Sequence, residues 1–135
     1  MGYLIGISLA LAVFVFARCI GLDRDRAFYP TVAFVAASYY GLFAVMGGSM
    51  ATLAVEAVVI GGSVLTSVFG FKFNLWFVVA VLFGHGVFDL FHGHIIANSG
   101  VPVWWPSFCM AYDVAAAGGL AWLLLKAKIS AKVTG

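Results

Sequence analysis

The chain has 135 residues, of which 64% are hydrophobic and 9% charged, and its mean hydropathy is +1.12. A soluble domain carries about 25% charged residues, so this composition excludes a water-facing globular surface, and it is too apolar for a disordered chain. Seven basic and five acidic residues give a net charge of +2, with no basic patch of the kind that grips nucleic acid.

A bilayer core about 30 Å thick needs about 20 apolar residues of helix to cross it. Five such stretches follow one another, over about 3–20, 27–46, 49–70, 73–92 and 104–125. The first ends at the charged group Arg18, Asp23, Arg24, Asp25 and Arg26, and the second stops at Gly47-Gly48. The fifth opens on Trp104-Trp105-Pro106, where proline suits a first helical turn, and closes on Lys126 and Lys128. Barrel strands would alternate over about ten residues, and these runs do not. The expected fold class is therefore all-α: a polytopic membrane bundle of five transmembrane helices forming a single domain over 1–135.

The charges test the count. With five spans, Arg18, Arg24, Arg26, Lys72, Lys126, Lys128 and Lys132 all fall on one face, and none falls in the second or fourth connection. The positive-inside rule makes that face cytoplasmic, which puts the N-terminus outside and the C-terminus inside. Trp104 and Trp105 then lie at the outer interface, where amphipathic rings settle. The first stretch lacks the basic start of a cleaved signal and carries its arginines afterwards, so it is expected to stay as a span.

Three acids escape this sorting: Glu56, Asp89 and Asp113. A charge at mid-membrane costs roughly 2.5–3.5 kcal/mol on the insertion scale, so intramembrane ionisable groups mark function by default. His85, Asp89 and His92 stand at i, i+4 and i+7 of the fourth span and point within about 60° of one another. Thr52, Glu56, Ser63 and Ser67 form a polar stripe on the third span, and Asp113 stands on the fifth beside Tyr112. Counted from the outer ends at 1.5 Å per residue, Glu56, His85 and Asp113 all come to lie about 10 Å deep, the layer that Tyr39 and Tyr40 also reach. One site in the outer half follows.

Imidazoles and carboxylates in a water-poor pocket suit zinc or another divalent transition metal, which turns bound water into a hydroxide source near neutral pH. His85, Asp89 and His92 are the candidate metal ligands, His92 being the nearest to the interface. Asp113 is a fourth ligand or an acceptor behind them, and Glu56 is a general base or a further ligand; these two are the candidate catalytic residues. Helix stapling explains any one of these polar residues, but poorly explains five at one depth. Gly2-x-x-x-Gly6, Gly61-Gly62 and Gly118-Gly119 are read as close-packing positions, within the chain or between copies in a homo-oligomer. Tyr39 and Tyr40 are read as packing, His94 as interfacial, and Cys109 is assigned nothing. The connection Gly93–Val103 is either a plain interfacial loop or a lid over the pocket.

GHGVFDLFHGH followed by NSGVPVWWPSFCMAYD resembles an uncharacterised family of small bacterial integral membrane proteins. The resemblance covers about the last 45% of the chain and implies a multi-pass protein of a bacterial inner membrane. The ligand types His85, Asp89 and His92, with Ser63, are also similar to those of the alkaline ceramidase and adiponectin receptor intramembrane metal hydrolases. Those carry His-x-x-x-His where this chain has His85-x-x-x-Asp89, and they have two more spans. The function expected is a metal-dependent hydrolase acting on a lipid or other apolar substrate. The alternatives are a proton- or cation-coupled transporter or binding protein, and an accessory membrane subunit with a structural polar cluster.

Overall fold

Apolar helices with satisfied backbones are the economical way to place this composition in hydrocarbon, and the computed structural model, described over residues 1–133, consists of five of them. They are α1 (Gly2–Ile20), α2 (Phe28–Met46), α3 (Met50–Lys72), α4 (Trp76–Ile95) and α5 (Trp105–Leu125). All five are long and apolar enough to cross a membrane. No strand occurs among the described residues. The helix bounds agree with the expected spans to within a residue or two, except that α4 runs about three residues later at both ends. Asn74 accounts for the late start, its side chain accepting a hydrogen bond from the Trp76 amide just before the helix.

The helices pack in the order α1, α5, α4, α3, α2, and α2 closes back onto α4 and α5. Small residues set the closest of these approaches. Gly2, Gly6, Ala10 and Ala17 are the buried positions of α1. A Cβ on Gly6 would meet the Phe108 carbonyl, and would lie 3.0 Å from Ala111 Cβ and 3.1 Å from the Tyr112 amide of α5. This is the small-xxx-small packing expected where backbones touch. By contrast, Gly61, Gly62 and Gly118 have nothing near their Cα faces within the chain. Because α1 is held by α5 and not by α2, a cleft is left between α1 and α2.

The end of the bundle that carries the basic residues is tied by Arg26. Its guanidinium donates to the carbonyls of Phe71 (2.6 Å), Gly70 (3.1 Å), Ser130 (3.1 Å) and Ala131 (2.9 Å). These carbonyls lie at the end of α3, where helix carbonyls lose their intrahelical partners, and in the C-terminal segment, where the Ala131 carbonyl also accepts from the Leu75 amide. Partial burial lowers the Arg26 pKa below its ordinary value, although a guanidinium stays charged. Nearby, Arg18 pairs with the buried Asp23 at 2.8 Å.

The interior divides in two along its length. Toward the Arg26 end, Tyr29, Ala33, Leu75, Val78, Leu82, Ala117, Leu120 and Leu123 form an apolar core. Toward the other end, the buried residues include Tyr40, Glu56, His85, Asp89, His92, Cys109 and Asp113, with apolar neighbours such as Phe43, Ala44 and Ile96. The bundle thus has an apolar floor beneath a polar chamber.

Candidate metal centre

Helix periodicity places His85, Asp89 and His92 on one face of α4, and that face turns inward: their exposures are 7%, 1% and 2%. Glu56 and Asp113 are fully buried. The residues singled out by their chemistry are therefore all in the interior, but they divide into two groups.

The first group lies between α4 and α5. His85 Nδ1 is 2.7 Å from Asp113 Oδ2 and 3.6 Å from Asp89 Oδ2. Cys109 Sγ donates to Asp113 Oδ2 over 3.8 Å. Gly86 makes this approach possible, because a Cβ there would stand 2.9 Å from Val114 Cγ2 and 3.4 Å from Asp113 Cβ. His85, Asp89, Cys109 and Asp113 each offer a ligand atom, and all four atoms lie within 4.8 Å of one another. This is a buried His/Asp/Cys cluster compatible with a metal site.

The second group joins α3 and α4 to the connection that follows α4. His92 Nε2 is 2.6 Å from Glu56 Oε1. Asn98, in that connection, reaches inward and donates to the same Glu56 oxygen at 3.0 Å and to the Tyr40 carbonyl at 3.2 Å. His92 is thus turned toward Glu56 and stands outside the four-residue cluster, although it shares a helix face with His85.

Tyr40 links the two groups. Its hydroxyl donates to Asp89 Oδ1 at 2.6 Å, while its ring stacks on His92. Sequence reasoning left Tyr40 as packing and gave Cys109 no role; the structure places both in the chamber. One signal for Cys109 was present, since Cys109 and Asp113 have the same i, i+4 spacing on α5 that His85 and Asp89 have on α4. Ser63 lies seven residues below Glu56, about 10 Å along α3, and its carbonyl accepts from Ser67 Oγ. His94 is exposed.

Hydrogen-bond capacity is left over in this chamber. Among the described residues, His85 Nε2, Asp89 Oδ2, Asp113 Oδ1 and Glu56 Oε2 are buried without a partner. Buried polar atoms are ordinarily satisfied, and one left unsatisfied costs about 1–3 kcal/mol. When Asp113 is ionised it can only accept, so its contact puts the proton on His85 Nδ1 and leaves the Nε2 lone pair free. A carboxylate behind an imidazole is the usual means of orienting a metal-binding histidine.

No match is found to a known protein family, to a curated protein or to a solved structure.

Proposed function

We propose that this chain is an intramembrane metal-dependent hydrolase that acts on a lipid or other apolar substrate. The observation that carries the reading is the convergence of His85, Asp89, Cys109 and Asp113, three of which keep a buried polar atom with no partner. The mixture of nitrogen, oxygen and thiolate donors fits zinc. Held by three protein ligands, His85, Asp89 and Cys109, with Asp113 behind His85, a zinc ion would supply a water nucleophile near neutral pH. The chain's residues then have distinct tasks. Tyr40 holds Asp89 in place through its hydroxyl. Glu56, paired with His92, is the buried carboxylate of α3 outside the cluster, and it would serve as the base that takes the proton of the attacking water. Hydrolysis breaks the acyl carbon–oxygen or carbon–nitrogen bond; the hydroxyl goes to the acyl carbon and the proton to the leaving group.

The topology we adopt places the chamber in the outer half of a bacterial inner membrane, following the charge sorting. A transporter is the weaker reading, because the core from Tyr29 to Leu123 is apolar and the buried acid at that end, Asp23, is already paired with Arg18.

Elemental analysis of the purified protein tests the proposal. One metal per chain is expected, with loss in His85→Ala and Asp89→Asn and retention in His92→Ala. Wild-type protein without stoichiometric metal overturns the reading. So does metal that survives His85→Ala. A fluorogenic lipid ester or amide whose turnover stops in Glu56→Gln, with the metal kept, separates hydrolysis from binding alone.

A further inference from the structure

The cleft between α1 and α2 is a groove of about 440 Å³, within the range of ligand sites. Its walls include Leu9 of α1 and Val35, Ala36 and Tyr39 of α2, and its floor includes Cys109 and Tyr112 of α5. From Phe28 at one end to Tyr39 at the other, the α2 wall extends about 16 Å at the helical rise, more than half of a hydrocarbon core about 30 Å thick. The groove therefore follows the direction and depth of a lipid tail. Its lining is almost wholly apolar, and it opens along the flank of a membrane-spanning bundle, where the surrounding solvent is acyl chain.

Cys109 gives this groove a second meaning. It belongs to the floor of the groove, and its Sγ touches Asp113 Oδ2 in the polar cluster. One side chain separates the hydrocarbon face from the chamber. At the Tyr39 end, Trp105 lines the groove, and its indole Nε1 is buried without a partner among the described residues.

We infer that the α1–α2–α5 groove is a binding site for the hydrocarbon chain of a bilayer lipid, which enters sideways and brings its carbonyl linkage to the Cys109 side of the chamber. The assignment of that linkage to hydrolysis rests on the proposed metal chemistry; the seat of the chain does not.

The test uses the full chain in nanodiscs of phosphatidylethanolamine and phosphatidylglycerol, doped with a phosphatidylglycerol that carries a diazirine on its acyl chain. After irradiation, adducts are mapped by mass spectrometry. Labelling is expected to concentrate on Tyr39, Cys109 and Tyr112 relative to the lipid-facing side of α3. Leu9→Trp and Val35→Trp fill the groove from opposite rims, at positions already exposed to lipid. Each is expected to lower that labelling by about tenfold, the factor that corresponds to 1.4 kcal/mol. Even labelling of all lipid-facing residues, or labelling unchanged in both variants, would overturn the inference. Groove labelling in a protein without metal would leave the chain site standing and remove the hydrolase. Stoichiometric metal with no groove labelling would do the reverse.

Discussion

Tyr40 lies flat against the imidazole of His92, with ring centroids 4.0 Å apart and planes inclined by 22°, while its hydroxyl reaches past that ring to Asp89. A single side chain on α2 therefore supports both polar groups, one by stacking and one by a hydrogen bond. Two substitutions separate the effects. Tyr40→Phe keeps the ring but removes the donor to Asp89, whose other oxygen already has no partner; it should lower unfolding stability in detergent by about 1–3 kcal/mol. Tyr40→Leu also loses the stacking and should fall further, by about 0.5–1.5 kcal/mol more. Equal losses in the two variants would mean that the ring contact contributes nothing.

Gly86 and Gly84 are near neighbours on α4 with opposite surroundings. A side chain at Gly86 runs into Val114 and Asp113, whereas one at Gly84 meets nothing within 4 Å. Gly86→Leu should cost about 1–3 kcal/mol through overpacking and move Asp113 off His85, lowering metal content as well. Gly84→Leu should leave metal content unchanged and slightly raise stability, by about the glycine helix penalty of 0.8–1.0 kcal/mol. Thermal unfolding and elemental analysis of the pair check both halves.

Cobalt can stand in for zinc and reports a thiolate ligand through a sulfur-to-metal charge-transfer band. Cys109 is the buried cysteine and Cys19 the exposed one. Cobalt-loaded wild type should show the near-ultraviolet band, Cys19→Ser should keep it, and Cys109→Ser should lose it. Loss of one ligand should weaken binding more than the 10–100-fold typical of an outer-shell partner. A band that persists in Cys109→Ser would remove the thiol from the ligand set.

The bundle was readable because hydrophobic length is a property of contiguous sequence. Five runs of about 20 residues needed no knowledge of how helices face one another, and the sorted arginines and lysines agreed with the number. The inward turn of His85, Asp89 and His92 was readable too, since helical spacing puts them on one face. The pairing was not. Whether His92 meets Glu56 or joins His85 depends on the rotation of α3 against α4, and a period of 3.6 residues leaves that rotation open. Tyr40 was hidden among many aromatic residues, where nothing marks the one whose hydroxyl turns inward. Asn98 was hidden because a connection has no period at all.

Arg26 carries a prediction remote from the chamber. Four carbonyls from two segments converge on its planar guanidinium, a geometry that a lysine ammonium with three donors cannot reproduce. Arg26→Lys keeps the charge and should still lose about 1–2 kcal/mol, a discounted figure because part of the side chain meets solvent. Hydrogen exchange should quicken at the amide of Leu75, which is bonded to the Ala131 carbonyl. Wild-type exchange there in Arg26→Lys would show that charge alone suffices.

Asn98 bears on the two readings of the connection after α4. A plain interfacial loop would leave its polar side chains in water, but this one places an amide on Glu56 and on the Tyr40 carbonyl, and its own Oδ1 accepts from the Gly100 amide. The backbone at Gly100 is so close to the Phe43 carbonyl that no side chain fits between them. Thr52 Oγ1 adds a bond to the Ala97 carbonyl. The connection is latched on α2 and α3 over the chamber, and Asn98 is the latch that touches the site. Asn98→Ala should raise exchange of the Val101 amide by about fivefold to thirtyfold, the equivalent of 1–2 kcal/mol. Amides of the apolar floor, such as Val78 and Leu82, should be unaffected. If the connection is a lid, metal loss to a chelator should quicken in Asn98→Ala while the equilibrium metal content stays at the wild-type level. Unchanged loss rates alongside faster loop exchange would make the connection a cover that does not govern entry.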